Sequence, residues 1–260
     1  MIQILRISKL VSLYFSLLAL SQIYAQVPSP APMTPEMTEF WDPEVPIATP
    51  GAVPNTVIAA PSDAIILFNG KNLLKWIGQD GGTAKWPVEG NIFTVNKGTG
   101  NIRTIREFKD FQLHIEWQIP SNISGESQLR GNSGIFLQGR YELQVLDNYN
   151  NRTYSNGQAG SIYKQTPPLI NVMRPPGEWN VYDIIYTAPR FKENGLLFSP
   201  ARITVLQNGV VIQNNTEIKG NTPYVGLPSY KAHGKGPIEL QDHGDPSKPI
   251  NYRNIWIRDL

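Results

Sequence analysis

From residue 62 onward the chain repeats one pattern: short segments in which apolar and polar residues alternate with period two, cut apart by Gly, Asn and Pro. FQLHIEWQI (111–119), YELQVL (141–146) and ARITVLQ (201–207) are typical. Such alternation puts successive side chains on opposite faces of a strand. Further strands are expected at 64–68, 86–95, 133–138, 179–188, 210–213, 237–242 and 254–260. No segment sustains a long helical period. Many strands without crossover helices predict an all-β chain, an antiparallel β-sandwich or jelly roll. Asn208-Gly209 between two of the strands predicts a two-residue hairpin turn, because both positions tolerate positive φ.

Ahead of these strands lie two other regions. Residues 1–25 carry Arg6 and Lys9 before the apolar run VSLYFSLLAL and end in a small residue, Ala25. They read as a signal peptide, so a periplasmic or secreted protein is expected, with no stable transmembrane domain after cleavage. Residues 26–61 hold nine prolines and no run able to pair in a sheet. This is a linker, or a strap laid over the domain with Phe40 and Trp41 as its docking residues. The 199 residues from 62 to 260 suffice for one β domain with a substantial core.

Charge and cysteine content narrow the chemistry. The chain carries +2, and loss of Arg6 and Lys9 with the signal leaves it formally neutral. Nucleic acid binding, which draws on clustered Lys and Arg, is not expected. Without cysteine there is no disulfide framework and no thiolate nucleophile.

Polar residues suited to catalysis collect in two places. On YELQVLD, period two sends Tyr141, Leu143 and Val145 to one face and Glu142 and Gln144 to the other, with Asp147 following at the strand end. In PIELQDHGDP, Gln241 closes a strand while Asp242, His243 and Asp245 occupy the turn after it. A histidine suits acid or base work near neutrality, and a carboxyl does so when burial raises its pKa. Glu142, His243 and Asp147 are therefore the catalytic candidates. No His-x-x-x-His, cysteine pair or EF-hand spacing occurs, so a metal is unassigned. A Ca²⁺, Mg²⁺ or Mn²⁺ held by Glu142, Asp147, Asp242 and His243 is chemically permissible.

The elements LFNGKNLLKW, GNSGIFLQGRYELQVLD, GQAGSIY, PPGEWNVYDIIY, VLQNGVVIQ and IELQDHGDP followed by INYRNIWIRDL occur in this order over about residues 62–260. In them the chain resembles the 3-keto-disaccharide hydrolase domain family, related in fold to the concanavalin-A-like lectins and glucanases. The resemblance implies a curved β-sandwich whose sheet binds carbohydrate, and cleavage of glycosides already oxidised at C3. The saccharide contacts expected from residue type and position are Asn132, Gln138, Arg140, Gln144, Tyr163, Trp179, Gln241 and Asp242. Relatives commonly have arginine where this chain has Gln138, so a cation aimed into the cleft is either missing here or supplied by Arg140.

A ketone at C3 acidifies the hydrogen on C2, and the C1 substituent then leaves by elimination, with water addition completing hydrolysis. A sugar 3-dehydrogenase acting beforehand is the expected functional partner. Two rival readings stand beside this one. A noncatalytic carbohydrate-binding module would use Trp179, Tyr163 and the polar strand residues as a recognition surface. A conventional β-glucanase requires a second carboxylate opposite Glu142, from Asp147, Asp242 or Glu116.

Overall fold

The structure, a computed structural model, describes residues 31–52 and 57–260; the expected signal peptide lies outside them. Its strands are Ile65–Phe68 (β1), Trp76–Gly78 (β2), Val88–Glu89 (β3), Ile92–Thr94 (β4), Ile102–Thr104 (β5), Phe111–Gln118 (β6), Ser133–Leu137 (β7) and Tyr141–Val145 (β8). There follow Trp179–Thr187 (β9), Arg190–Phe191 (β10), Leu197–Ser199 (β11), Arg202–Gln207 (β12), Val210–Glu217 (β13), Glu239–Leu240 (β14) and Asn251–Asp259 (β15). Among the described residues, helix is confined to single 3₁₀ turns at Pro35–Thr38, Ser127–Leu129 and Ser155–Gly157. None of the described helices is long and apolar enough to cross a membrane.

The strands form an antiparallel sandwich. The larger sheet runs β13-β12-β9-β6-β15-β4-β3, with β1 also pairing β15. The smaller runs β2-β5-β14-β7-β8. The apolar row of β6, Phe111, Leu113, Ile115 and Trp117, is fully buried, as its alternation predicts. Three buried tyrosines of the larger sheet cross the core and bond the smaller one. Tyr182 donates to the Gln144 carbonyl at 3.0 Å, Tyr186 to Gln138 Oε1 at 2.9 Å, and Tyr252 shares 2.8 Å with Ser133 Oγ. Each ring fills apolar space while its hydroxyl satisfies a polar group of the facing sheet.

Turn chemistry sets the local departures from the expected strands. Residues 86–95 split into β3 and β4 because Gly90, at φ 60°, reverses the chain. Asn208 and Gly209, at φ 53° and 81°, form the expected hairpin, pairing Leu206 with Val211. Gln138 and Gly139, at φ 54° and 64°, form a second such turn between β7 and β8, so the strand expected to end at Gln138 stops at Leu137. The polar row of β6 departs from a solvent face: His114 and Glu116 are 0% and 2% exposed. His114 stacks on Trp256 and bonds Asp183, while Glu116 binds Arg253 and Asn254.

The proline-rich segment is a docked strap over its described part. Asn156 Nδ2 donates to the Thr38 carbonyl at 2.8 Å and its Oδ1 accepts from the Phe40 amide at 2.9 Å. Asn171 exchanges backbone bonds with Pro46 and Ala48, and Ser155 Oγ reaches the Pro43 carbonyl. Phe40 and Trp41 stay 46% and 43% exposed, so backbone pairing, more than their rings, seats the strap.

Candidate active site

Three elements converge on the outer face of the smaller sheet. On β8, Tyr141, Leu143 and Val145 enter the core, leaving Glu142 and Gln144 on the other side. Beside it β14 pairs with β7, Leu240 opposite Ile135, and the Gln241 amide donates to the Gly134 carbonyl at 3.0 Å. That pairing carries Gln241 and His243 alongside Asn132. The edge of β8 is closed by the backbone of residues 160–163, which bonds Glu142 and Gln144, and by Thr222, whose Oγ1 accepts from the Glu142 amide.

The result is a cavity of about 270 Å³ lined by Asn132, Phe136, Glu142, Gln144, Tyr163, Thr222, Tyr224, Gln241 and His243. This lies just under the ~300–1,000 Å³ of drug-sized ligand sites, a volume suited to a single sugar ring. Glu142, 5% exposed, lies inward, and Tyr224, 68% exposed, stands at the rim. Glu142 is the one carboxylic acid in the lining, and His243 the one imidazole. Burial without a compensating partner pushes the Glu142 carboxyl up to about 8, so at neutral pH it is largely a protonated acid.

Amide oxygens supply the rest of the polarity. Asn132 Oδ1, Gln144 Oε1 and Gln241 Oε1 are buried with no partner in the protein. The amino groups of Asn132 and Gln144 are already committed to Gln128. Three orphaned acceptors in one small cavity call for a ligand rich in hydroxyl donors, since buried polar atoms otherwise lose a hydrogen bond each.

His243 is oriented from behind. Its Nδ1 lies 3.5 Å from Asp245 Oδ2, and its Nε2 lies 3.2 Å from Asn132 Nδ2. Asp245 is buried and also held by Ser247 and by Lys97 at 3.0 Å. Burial works against its charge, yet His243, Ser247 and Lys97 hold its carboxyl well below the usual range. With Asp245 accepting from Nδ1, Nε2 accepts from the Asn132 amino group at the cavity wall, a bond that must be given up for Nε2 to take a proton.

The sequence profile of the 3-keto-alpha-glucoside-1,2-lyase-like domain matches residues 63–258. The chain belongs to that family. A 3-keto-disaccharide hydrolase of Bacteroides thetaiotaomicron is 29% identical over 244 residues, covering 75% of this chain and 78% of the relative. A crystal structure from Parabacteroides distasonis, classed as a glycosyl hydrolase, shares 62% identity at a TM-score of 0.78, over 87% of this chain and 97% of its own. A second structure from the same organism, at 21% identity and a TM-score of 0.55 over 76% and 94% of the two chains, shares the fold.

Within this family domain, five of the residues expected at the site stand elsewhere. Asp147 is fully buried beneath the loop, with Arg130 Nε at 2.7 Å from Oδ2 and the Tyr149 amide on Oδ1. Gln138 is turned into the core by its left-handed backbone, donating to the Phe108 carbonyl and accepting from Tyr186. Arg140 is exposed past the turn and does not replace the missing cation in the cavity. Asp242 ties down a neighbouring loop through the Gly100 amide and Asn101. Trp179 belongs to the outer face of the larger sheet, its ring 4.0 Å beneath the Arg253 guanidinium, in a separate hollow with Glu116 and Asp183.

The expected four metal donors therefore do not converge: Asp147 and Asp242 are committed away from Glu142 and His243. Among the described residues no three His, Cys, Asp or Glu side chains are placed to hold one ion. Thr222 and Tyr224 carry no periodic signal and reach the site from a loop some 80 residues after Glu142, beyond the reach of sequence reasoning. Asp245 was visible two residues after His243, but its role follows from burial.

Proposed function

We propose that the chain cleaves glycosides already oxidised to a ketone at C3 of the sugar, by elimination across C1–C2 followed by hydration. The family and the similarity to glycosyl hydrolases support a glycoside hydrolase-type function. The observation favouring the 3-keto reading is that the cavity has a single carboxylic acid. Hydrolysis of an unoxidised glycoside requires two carboxyl groups flanking the bond, roughly 5 Å or 6.5–9.5 Å apart. Asp147, Asp242 and Glu116 all lie outside the cavity lining.

An elimination needs a base, an acid and donors for an enolate, and the lining has all three. His243 Nε2 removes the C2 proton, and the electron pair passes through C2 to the C3 oxygen. Tyr163 and the Gln241 amino group are the donors available to that oxygen. As the enolate collapses, the C1–O bond breaks and the Glu142 carboxyl gives its proton to the departing oxygen. Water then adds across C1=C2. Glu142, now a carboxylate, takes a proton from the water as the water oxygen attacks C1, and the protonated His243, whose Nε2 proton has exchanged with solvent, protonates C2. The net change is 3-keto-glycoside plus water to 3-keto sugar plus alcohol, with both residues restored. An oxidation at C3, the reaction of a sugar 3-dehydrogenase, must supply the substrate.

Pure protein incubated with a 3-keto-glucoside and with its unoxidised parent tests this. Release of the alcohol from the keto form alone, with solvent deuterium entering C2, is expected. Equal release from both forms would identify a conventional glycosidase, and binding without release a carbohydrate-binding module.

A further inference from the structure

Tyr224 stands at the rim of the cavity on a support that its position there does not require. Lys164, its side chain 3% exposed, holds its ammonium 4.8 Å from the centre of the Tyr224 ring and donates to the Tyr224 carbonyl at 3.3 Å. The same ammonium donates to the Pro35 carbonyl of the strap at 2.8 Å and lies 3.6 Å from the Glu39 carboxylate. A buried ammonium needs such partners, so the strap fixes the lysine and the lysine fixes the ring. Lys164 itself adopts φ 56°, a conformation that persists only where the surroundings impose it.

The geometry points to a leaving-group subsite on the Tyr224 ring, which recognises the flat apolar face of an aryl group or a second sugar. This rests on the elimination reading above and deepens it. A cavity of about 270 Å³ takes one ring, so the departing group lies outside at the rim. Glu142, the proton donor to that group, is tied through its amide to Thr222, two residues before Tyr224. Glu142 and Tyr224 line the same cavity, the one inward and the other at its rim. Val225 and Leu227, 44% and 71% exposed, are further exposed apolar side chains on the same loop. A ring with one region engaged by a fixed cation and the rest open to solvent is a stacking platform.

The test compares kcat/KM for phenyl and methyl 3-keto-glucosides in the wild type, Tyr224→Ala, Tyr224→Phe and Lys164→Met. The preference for phenyl over methyl falls roughly three- to tenfold in Tyr224→Ala, the range expected of one aromatic contact. It persists in Tyr224→Phe and falls part-way in Lys164→Met. An unchanged preference in Tyr224→Ala overturns the subsite. If the wild type cleaves neither substrate, the elimination reading has failed, and calorimetric binding of phenyl glucoside decides the subsite alone. Weaker binding to Tyr224→Ala then supports it, and equal binding overturns it.

Discussion

Gly134 makes room for the Glu142 carboxyl: a methyl group built on its Cα would collide with Glu142 Oε1. The two residues sit on adjacent strands, Gly134 opposite Gln144 and Glu142 opposite Phe136, so the side chain lies diagonally across the pair. Gly134 has an ordinary strand backbone, so alanine there leaves the fold intact and displaces the acid. Gly134→Ala is expected to lower kcat on the order of 10²-fold, the effect of misplacing a catalytic group by about 1 Å. Steady-state kinetics alongside a thermal melt measure it; an unchanged kcat with a normal melt would mean that Glu142 has no part in the reaction.

The raised pKa of Glu142 gives two linked pH effects. As the acid, it must be protonated, so kcat/KM is expected to decline as pH rises through about 8. Glu142→Gln should lower kcat by roughly 10²–10⁴-fold. For stability the sign follows from the folded value, about 8, lying above the ordinary glutamate value of about 4.5. The folded protein keeps a proton that the unfolded chain releases, so this contribution is complete below about 4.5 and is lost as pH rises through about 8. The Tm of Glu142→Gln relative to the wild type should therefore rise with pH over that interval. A constant difference between the two melts would remove the case for a buried, uncompensated carboxyl.

Asp245 acts through His243. Asp245→Asn keeps the shape but removes the charge that His243, Lys97 and Ser247 share. We expect kcat to drop more than tenfold with little change in KM. A lowered Tm without the loss of kcat would mark Asp245 as a structural residue only. Since its folded pKa is depressed, its stabilisation is present above the unfolded value of about 3.8 and is lost as pH falls.

Asp147 is expected to behave in the opposite manner. Burial pushes its carboxyl up, and the Tyr149 amide and Arg130 pull part of that back. Asp147→Asn should cost about 1–3 kcal/mol of stability, the penalty of leaving a buried polar partner unmatched. Turnover should stay within about twofold of the wild type once the protein is folded. Chemical denaturation and kinetics on the same preparation separate the two effects, and a collapse of kcat at unchanged stability would return Asp147 to the catalytic set.

The placement of these residues shows how far local pattern reaches. Period two in YELQV correctly separates Tyr141, Leu143 and Val145 from Glu142 and Gln144, because strand geometry alone sends neighbours to opposite faces. The same pattern in FQLHIEWQ is right about its apolar row, while its polar row divides: Gln112 and Gln118 are half-exposed and the two residues between them are sealed off. His114 and Glu116 are buried by Trp256, Asn254 and Asp183, which come from other strands. Gln138 departs for a local reason: the expected strand runs one residue too far, and Gln138 belongs with Gly139 to the turn, whose left-handed backbone sends its side chain into the core. Asp242 and His243 are adjacent in the chain, yet one bonds the Gly100 loop and the other enters the cavity. A turn after a strand fixes where the backbone goes, but not which of its side chains finds a partner.

By itself the sequence determined an all-β sandwich, the hairpin at Asn208-Gly209 and the face of β8 that carries Glu142. These follow from propensities and periodicities set within a few residues. Only the tertiary structure decided that His243 joins Glu142 while Asp147 pairs with Arg130, that Trp179 lies on the other sheet, and that the strap reaches Lys164. Those outcomes depend on contacts between segments far apart in the chain, where burial and hydrogen-bond satisfaction choose among residues that look equivalent in one dimension.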